Sequence, residues 1–216
     1  MQQAGDIPVI KQKFLKKGRL LGSGCFANVY KGKLALSRHQ IVRVAVKEPV
    51  NDAEKLAWVL HELQGVEGVP KLYGVTDATP PGLVMGLCRG VVLQALWESG
   101  EVELCVVALV KLCSTVRHLH ALGVTHGDIH KGNVLVDVSD EGEVEATLLD
   151  FGLAERFTDA TRQVDDVREV VSTALQVLAW SGQLCGVRRS LHGVEDLDSV
   201  EVLLAEALSI LQAVSE

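Results

Sequence analysis

The sequence predicts an α+β fold of two lobes, a small β-rich amino-terminal lobe over about residues 15–85 and a mostly helical carboxyl-terminal lobe over about 86–216. Three observations carry that prediction. Short apolar runs separated by glycine- and proline-containing turns fill the first part, and amphipathic or apolar helical stretches at 102–122, 167–180 and 200–214 dominate the second. Between them lies the polar loop His126-Gly127-Asp128-Ile129-His130-Lys131-Gly132-Asn133, followed after sixteen residues by Asp150-Phe151-Gly152. A chain of 216 residues with 48% hydrophobic content can bury one substantial core or two small lobes around a cleft.

Residues 1–14 read as a leader of undecided order. The first lobe then opens with Leu21-Gly22-Ser23-Gly24-Cys25-Phe26-Ala27-Asn28-Val29, a glycine-rich turn between two strand-like runs. Glycines there let backbone N–H groups approach phosphates, although the same stretch alone also reads as a plain β-hairpin. Val44-Ala45-Val46-Lys47 is a short apolar strand ending in a lysine, which sets an ammonium point charge beside phosphates or simply closes a strand at the surface. A helical segment follows with Glu54 and Glu62, seven and fifteen residues beyond that lysine. Thr79-Pro80-Pro81-Gly82 is a turn between the fourth and fifth strands of this lobe rather than a linker.

In the second lobe the helix 102–122 ends at Gly123, a natural C′ position, and delivers the chain to His126. Val134-Leu135-Val136 and Thr147-Leu148-Leu149 are β-compatible, with Asp140-Glu141-Gly142-Glu143 as the hairpin turn between them. Phosphoryl transfer leaves a protein little covalent chemistry, so its catalysts need one group to orient the acceptor hydroxyl and others to hold magnesium on the phosphates. Asp128, Asn133 and Asp150 have the chemistry and the order for those tasks. Asp166 opens the apolar helix 167–180, where it reads as a helix cap or first-turn charge.

From about Leu15 to about Trp180 the chain resembles the eukaryotic-type protein kinase family, on the glycine-rich loop, the Val-Ala-Val-Lys strand, the His-Gly-Asp loop with its asparagine, and Asp-Phe-Gly. The resemblance implies a two-lobed protein-kinase-like fold that binds ATP and Mg2+. Leu21 to Val29 would cover the phosphates, Lys47 would contact them, and Asp128 would be the catalytic base. Asn133 and Asp150 would hold magnesium, and Glu62, or else Glu54, would pair with Lys47. Val29 and Ala45 would roof the adenine with Leu135 beneath it. Gly82 to Cys88 looks like the fifth strand running into the hinge, with Met85 guarding the back pocket and Gly86, Leu87 and Cys88 at the adenine edge. His126 and Phe151 would pack in the core, and Asp166 would brace the backbone of the catalytic loop.

Departures from the family pattern bear on the acceptor. Ala27 replaces the third loop glycine, Gly127 replaces the arginine before the aspartate, and His130 stands where protein-serine/threonine kinases carry a lysine, with Lys131 next to it. H-G-D-x-H-x-G-N is also similar to the loop of small-molecule phosphotransferases such as the aminoglycoside and lipopolysaccharide kinases. No Ala-Pro-Glu anchor lies in the sixteen residues from Asp150 to Asp166, and after Gly182 one strong helix is expected, which gives a truncated carboxyl-terminal lobe. The expected activity is transfer of the γ-phosphoryl of ATP to a protein serine or threonine. The alternatives are a small-molecule phosphotransferase and a nucleotide-binding scaffold.

Charge is uneven: ten basic against two acidic residues in 1–50, and eleven against 26 in 51–216. The basic leader strand, Lys11 to Arg19, reads as a solvated face because aromatic residues are sparse beside it, so no nucleic-acid partner is expected. Five cysteines without a C-x-x-C, and no signal-like or eighteen-residue apolar run, point to a cytoplasmic or nuclear setting and no membrane. Cys105 and Cys113 read as core residues, whereas oxidation of Cys25 at the loop tip would block nucleotide access. His118, His120, His126 and His130 have no zinc spacing and read as structural.

Overall fold

Val42, Val44 and Val46 alternate with Arg43, Ala45 and Lys47, and this period of two fixes which face of the first sheet is buried. The computed structural model describes residues 7–24, 27–48, 50, 52–157 and 161–215. The chain divides into two units, residues 1–65 with 70–88 and residues 66–69 with 89–216. The first is β-rich and the second mostly helical.

In the first unit β1 (Val9–Ile10), β2 (Leu15–Ser23), β3 (Asn28–Ser37), β4 (Gln40–Glu48), β5 (Leu72–Thr76) and β6 (Leu83–Gly86) form one sheet in the order β1-β5-β6-β4-β3-β2. Ile10, Leu34, Val44, Val46 and Val84 make its core, with Leu15, Val42 and Tyr73 packed against them. Helix α1 (Ala53–Glu62) buries Ala53, Leu56, Ala57 and Leu60, the stripe expected of a helix with one face on a core, and it packs on β5. The leader expected over 1–14 is corrected here: Val9 and Ile10 pair in parallel with Val75 and Thr76, and Ile10 is buried. Two residues of strand are too few for a periodicity signal, so the sequence alone did not separate them from a leader.

In the second unit β7 (Val91–Val92) leads into α2 (Leu93–Glu98) and then α3 (Val102–Ala121). Helix α3 buries Cys105, Val106, Leu109, Leu112, Cys113 and Val116. It ends as expected, with Gly123 in the left-handed region at φ 73°. Residues 66–69 belong to this unit: Glu67 O accepts from Thr115 Oγ1 at 3.2 Å and Gly68 O from Leu148 N–H at 2.8 Å. A Cβ on Gly68 would lie 2.2 Å from Thr115 Oγ1, so only glycine allows that approach.

Next come β8 (Val124–Thr125), β9 (Val134–Val138), β10 (Val144–Leu148) and β11 (Glu155–Arg156). β9 and β10 pair antiparallel as the predicted hairpin, and β7 flanks β9. β11 pairs with β8, which returns the chain to the start of the loop at 126. Helix α4 (Thr161–Leu178) begins five residues before Asp166, so the reading of that aspartate as a cap or first-turn charge fails. The opening turn, Thr161-Arg162-Gln163, carries no apolar residue to mark its start. A short α5 (Cys185–Ser190), not expected, precedes α6 (Leu197–Ser215), which packs on α3.

Candidate active site

The alternation in β4 sends Val44 and Val46 into the core and sets Ala45 and Lys47 on the opposite face. Direct cross-strand pairing then adds Val29 beside Lys47 and Met85 beside Ala45. The predicted adenine roof, the phosphate lysine and the back-pocket methionine therefore share one face of the first sheet. At the turn of the glycine-rich loop Ser23 pairs with Asn28, Ser23 Oγ donates to Asn28 Oδ1 at 2.7 Å, and Gly24 N–H donates to Ala27 O at 2.9 Å. Cys25 and Phe26 lie outside the described residues. Leu21 is exposed. A Cβ on Gly22 would meet nothing within 4 Å and one on Gly24 only Ala27 O at 3.6 Å, so packing does not demand glycine at either place.

Of the hinge segment, Gly86 N–H donates to Lys71 O at 2.7 Å and Leu87 N–H to Arg43 O at 3.3 Å. Those two donors are engaged within the unit, and Cys88 is half-buried with Sγ 3.7 Å from Gly86 O. Glu54, Trp58 and Glu62 follow one another at intervals of four along α1; Glu54 is exposed and Glu62 half-buried.

In the second unit the loop 126–133 is held from α4. Asp166, fully buried, accepts the N–H groups of His126 at 3.0 Å and Gly127 at 2.8 Å, and also His120 Nε2 at 2.8 Å. One turn on, Glu169 accepts the Ile129 N–H at 2.7 Å. The N–H of Asp128 itself goes to His126 Nδ1 at 3.2 Å, and His126 Nε2 donates to Leu149 O at 2.9 Å. The four successive amides around Asp128 thus all have acceptors. Burial pushes the His126 imidazole below the usual histidine pKa, against the pull of the Leu149 carbonyl and of Asp166. Burial likewise raises the Glu169 carboxyl above the usual range, with the Ile129 N–H opposing and Asp166, Asp128 and Asp165 adding to the rise. As expected, His126 and Phe151 are buried, with ring centroids 4.8 Å apart.

Asn133 Nδ2 donates to the main-chain carbonyl of Asp128 at 3.0 Å and to its Oδ2 at 2.9 Å. That engages the amide nitrogen and leaves the amide oxygen as the end of Asn133 suited to a hard cation. Asn133 O accepts the Leu149 N–H at 2.7 Å, so Asp150, the next residue, begins beside it. Asp150 is left-handed at φ 58°, ψ 69°, with Oδ1 accepting from Gly152 N–H at 3.2 Å. Strain of about 1–3 kcal/mol is typical of such a residue and clusters at functional positions. One carboxylate and one amide oxygen suit magnesium, which takes few protein ligands and completes its shell with water and phosphate oxygens. No group of three or more His, Cys, Asp or Glu side chains suited to a metal occurs among the described residues. Leu135 is half-buried between the buried Val134 and Val136, so it lies on the face of β9 away from the core.

The sequence reading missed Glu169, the packing of Lys131 and the backbone at Gly127. Lys131 is buried: its Nζ donates to Gln176 Oε1 at 2.6 Å and lies 3.7 Å from the centre of the Trp97 ring. It is a structural cation. Gly127 has φ 74°, and a Cβ there would approach Leu153 O at 3.3 Å, so the residue in place of the family's arginine is a conformational requirement here.

The description protein tyrosine and serine/threonine kinase matches residues 15–177. The chain belongs to the eukaryotic-type protein kinase family. This kinase domain is 30% identical over 205 residues to calcium-dependent protein kinase SK5 of Glycine max, covering 89% of the chain and 38% of that relative. It is 31% identical over 220 residues to a leucine-rich repeat receptor-like serine/threonine-protein kinase of Arabidopsis thaliana, covering 88% and 21%. A third similarity, 32% over 145 residues, is to the serine/threonine-protein kinase zyg-1 of Caenorhabditis elegans, covering 62% and 20%. The kinase domain spans well under half the length of these relatives. None of its described helices is long and apolar enough to cross a membrane.

Proposed function

We propose that this kinase domain transfers the γ-phosphoryl group of ATP to a serine or threonine hydroxyl of a protein. The observation that carries the reading is the fixed carboxylate of Asp128: its flanking amides are bound by Asp166, Glu169 and His126, and its Oδ2 by Asn133. A carboxylate so held orients an acceptor hydroxyl without reorganising when the reaction occurs. Lys47 neutralises the nonreacting phosphates, and Glu62, half-buried where Glu54 is exposed, is the better partner for it. Val29, Ala45 and Met85 bound the adenine from the sheet face, and Gly86 with Cys88 offers the hinge groups. Asp150 and the amide oxygen of Asn133 would hold Mg2+, which when bound neutralises charge on the β- and γ-phosphates.

A small-molecule acceptor is the second reading, favoured by the burial of Lys131 and the left-handed Gly127, which leave no arginine or lysine of this loop exposed beside Asp128. Incubation with γ-labelled ATP, Mg2+, casein and a metabolite extract, followed by separation of protein from small molecules, distinguishes them. Label on protein supports the first reading, and label on metabolites alone supports the second. Nucleotide binding with no transfer to any acceptor means a nucleotide-gated scaffold and overturns both. A cytoplasmic or nuclear setting is proposed with this function, since Cys105, Cys113 and Cys185 are free thiols.

A further inference from the structure

His130 is tied into the catalytic loop through its ring. Nδ1 accepts the Gly132 N–H at 3.0 Å, which leaves the ring proton on Nε2. Nε2 in turn faces Oδ1 of Asp128 at 3.6 Å, longer than a hydrogen bond but close enough for the N–H dipole and the carboxylate to attract. Asn133 holds the other oxygen, Oδ2. The two oxygens of Asp128 are therefore flanked by different groups, and Oδ1 is the one with lone pairs to spare for an acceptor.

Gly132 makes this ring position attainable. A Cβ there would lie 2.8 Å from His130 Cε1 and 3.0 Å from Nδ1, and a contact under 3.0 Å forces something to shift. Lys131 is packed away on Trp97 and Gln176. The His130 side chain, 55% exposed, is thus the polar group set beside Oδ1 of Asp128, itself on a side chain 42% exposed.

We propose that His130 is a positioning residue for phosphoryl transfer. Its ring holds Oδ1 of Asp128 in the orientation that receives the acceptor hydroxyl, and Gly132 is glycine to make room for that ring. This rests on the reading of Asp128 as the group that orients the acceptor. His130 also caps the short turn at 131–133 through Nδ1, a purely structural task, and the two roles separate by substitution. Asparagine keeps an acceptor for the Gly132 N–H but has no atom at the place of Nε2, whereas glutamine reaches that place.

The test measures total phosphoryl transfer from ATP, to casein, to the chain itself and to water, as kcat and KM for ATP. The variants are His130→Ala, His130→Asn, His130→Gln, Gly132→Ala and the double His130→Ala/Gly132→Ala, with Asp128→Asn as reference and thermal melts to check folding. His130→Ala and His130→Asn are each expected to lower kcat about tenfold with KM for ATP nearly unchanged, and His130→Gln to recover part of the loss. Gly132→Ala is expected to lower kcat in the wild-type background and to add nothing to His130→Ala, because the residues act as a unit. Wild-type kcat in His130→Asn, or a Gly132→Ala loss that is the same with and without His130, overturns the inference while Asp128→Asn remains inactive. If Asp128→Asn is as active as wild type, or wild type transfers nothing, the reading of the site falls and the inference with it.

Discussion

The loop at 126–133 and the loop at 21–29 both contain glycines and both carry residues expected to serve ATP, yet they are built in opposite ways. In the first, each amide from His126 to Ile129 is bound by a side chain, and two of the three acceptors come from α4, forty residues away in sequence. In the second, the described bonds near the turn join the two strands to each other, Ser23 to Asn28 and Gly24 to Ala27, and the space beside Gly22 is open. Under the proposed reaction, the group that must be in place when the phosphoryl moves is the one held by long-range contacts, whereas the loop proposed to cover the phosphates has open space beside Gly22.

The largest expected effect tests the long-range contacts. Asp166→Ala would leave three donors without an acceptor, and the loss is about 3–5 kcal/mol, read as the shift of the urea midpoint. Asp166→Asn, which keeps one acceptor, is expected to lose less. A midpoint that does not move would mean that α4 does not hold the loop.

Next is the conformational contrast between the glycines. Gly127→Ala should destabilise by about 1–2 kcal/mol, since its backbone is left-handed and a Cβ crowds Leu153 O. Gly22→Ala should leave stability nearly unchanged and weaken nucleotide binding, because its Cβ meets only open space in the protein. Equal melting shifts in the two variants would erase the distinction.

The pH dependence of stability separates two titrating groups at the loop, half-buried Glu169 and buried His126. The Glu169 carboxyl has a raised pKa in the folded state, so its contribution is present below the usual glutamate range and is lost as pH rises through the folded value. Glu169→Gln should therefore flatten that part of the unfolding free energy against pH. His126 is shifted down, so its contribution is present above the usual histidine range and is lost as pH falls through the folded value. A stability profile unchanged by Glu169→Gln in the range just above the usual glutamate value would contradict the assignment.

The smallest effect is chemical. Burial pushes the Cys105 thiol up to about 11 and the Cys113 thiol up to about 12, so neither should react with iodoacetamide in the folded protein near neutral pH. Exposed Cys185 should react before either of them. Equal labelling of Cys113 and Cys185, read by mass spectrometry, would show the α3 core to be open.

The same contrast explains what could be read from the sequence. The order Asp128, Asn133, Asp150 was legible because the chain sets those groups at fixed short spacings, and the alternation Val44, Ala45, Val46, Lys47 placed its lysine on the face away from the core because a strand has a period of two. Gly123 announced the end of α3 for the same local reason. Glu169 was not legible: on α4 it resembles any half-exposed helix charge, and its partner is forty residues away. The burial of Lys131, noted from the sequence only as the neighbour of His130, was not legible, since it depends on Trp97 and Gln176, which no spacing rule connects to it. The start of α4 was placed late because its first turn is polar.

The most direct measurement is of kcat and of Mg–ATP affinity, side by side, for wild type and Asp128→Asn. If Asp128 orients the acceptor and the nucleotide is held by other residues, kcat falls by about 10²-fold or more while the dissociation constant stays nearly the same. A comparable loss of both, or a kcat that survives the substitution, would contradict the role assigned to Asp128 and with it the proposed reaction.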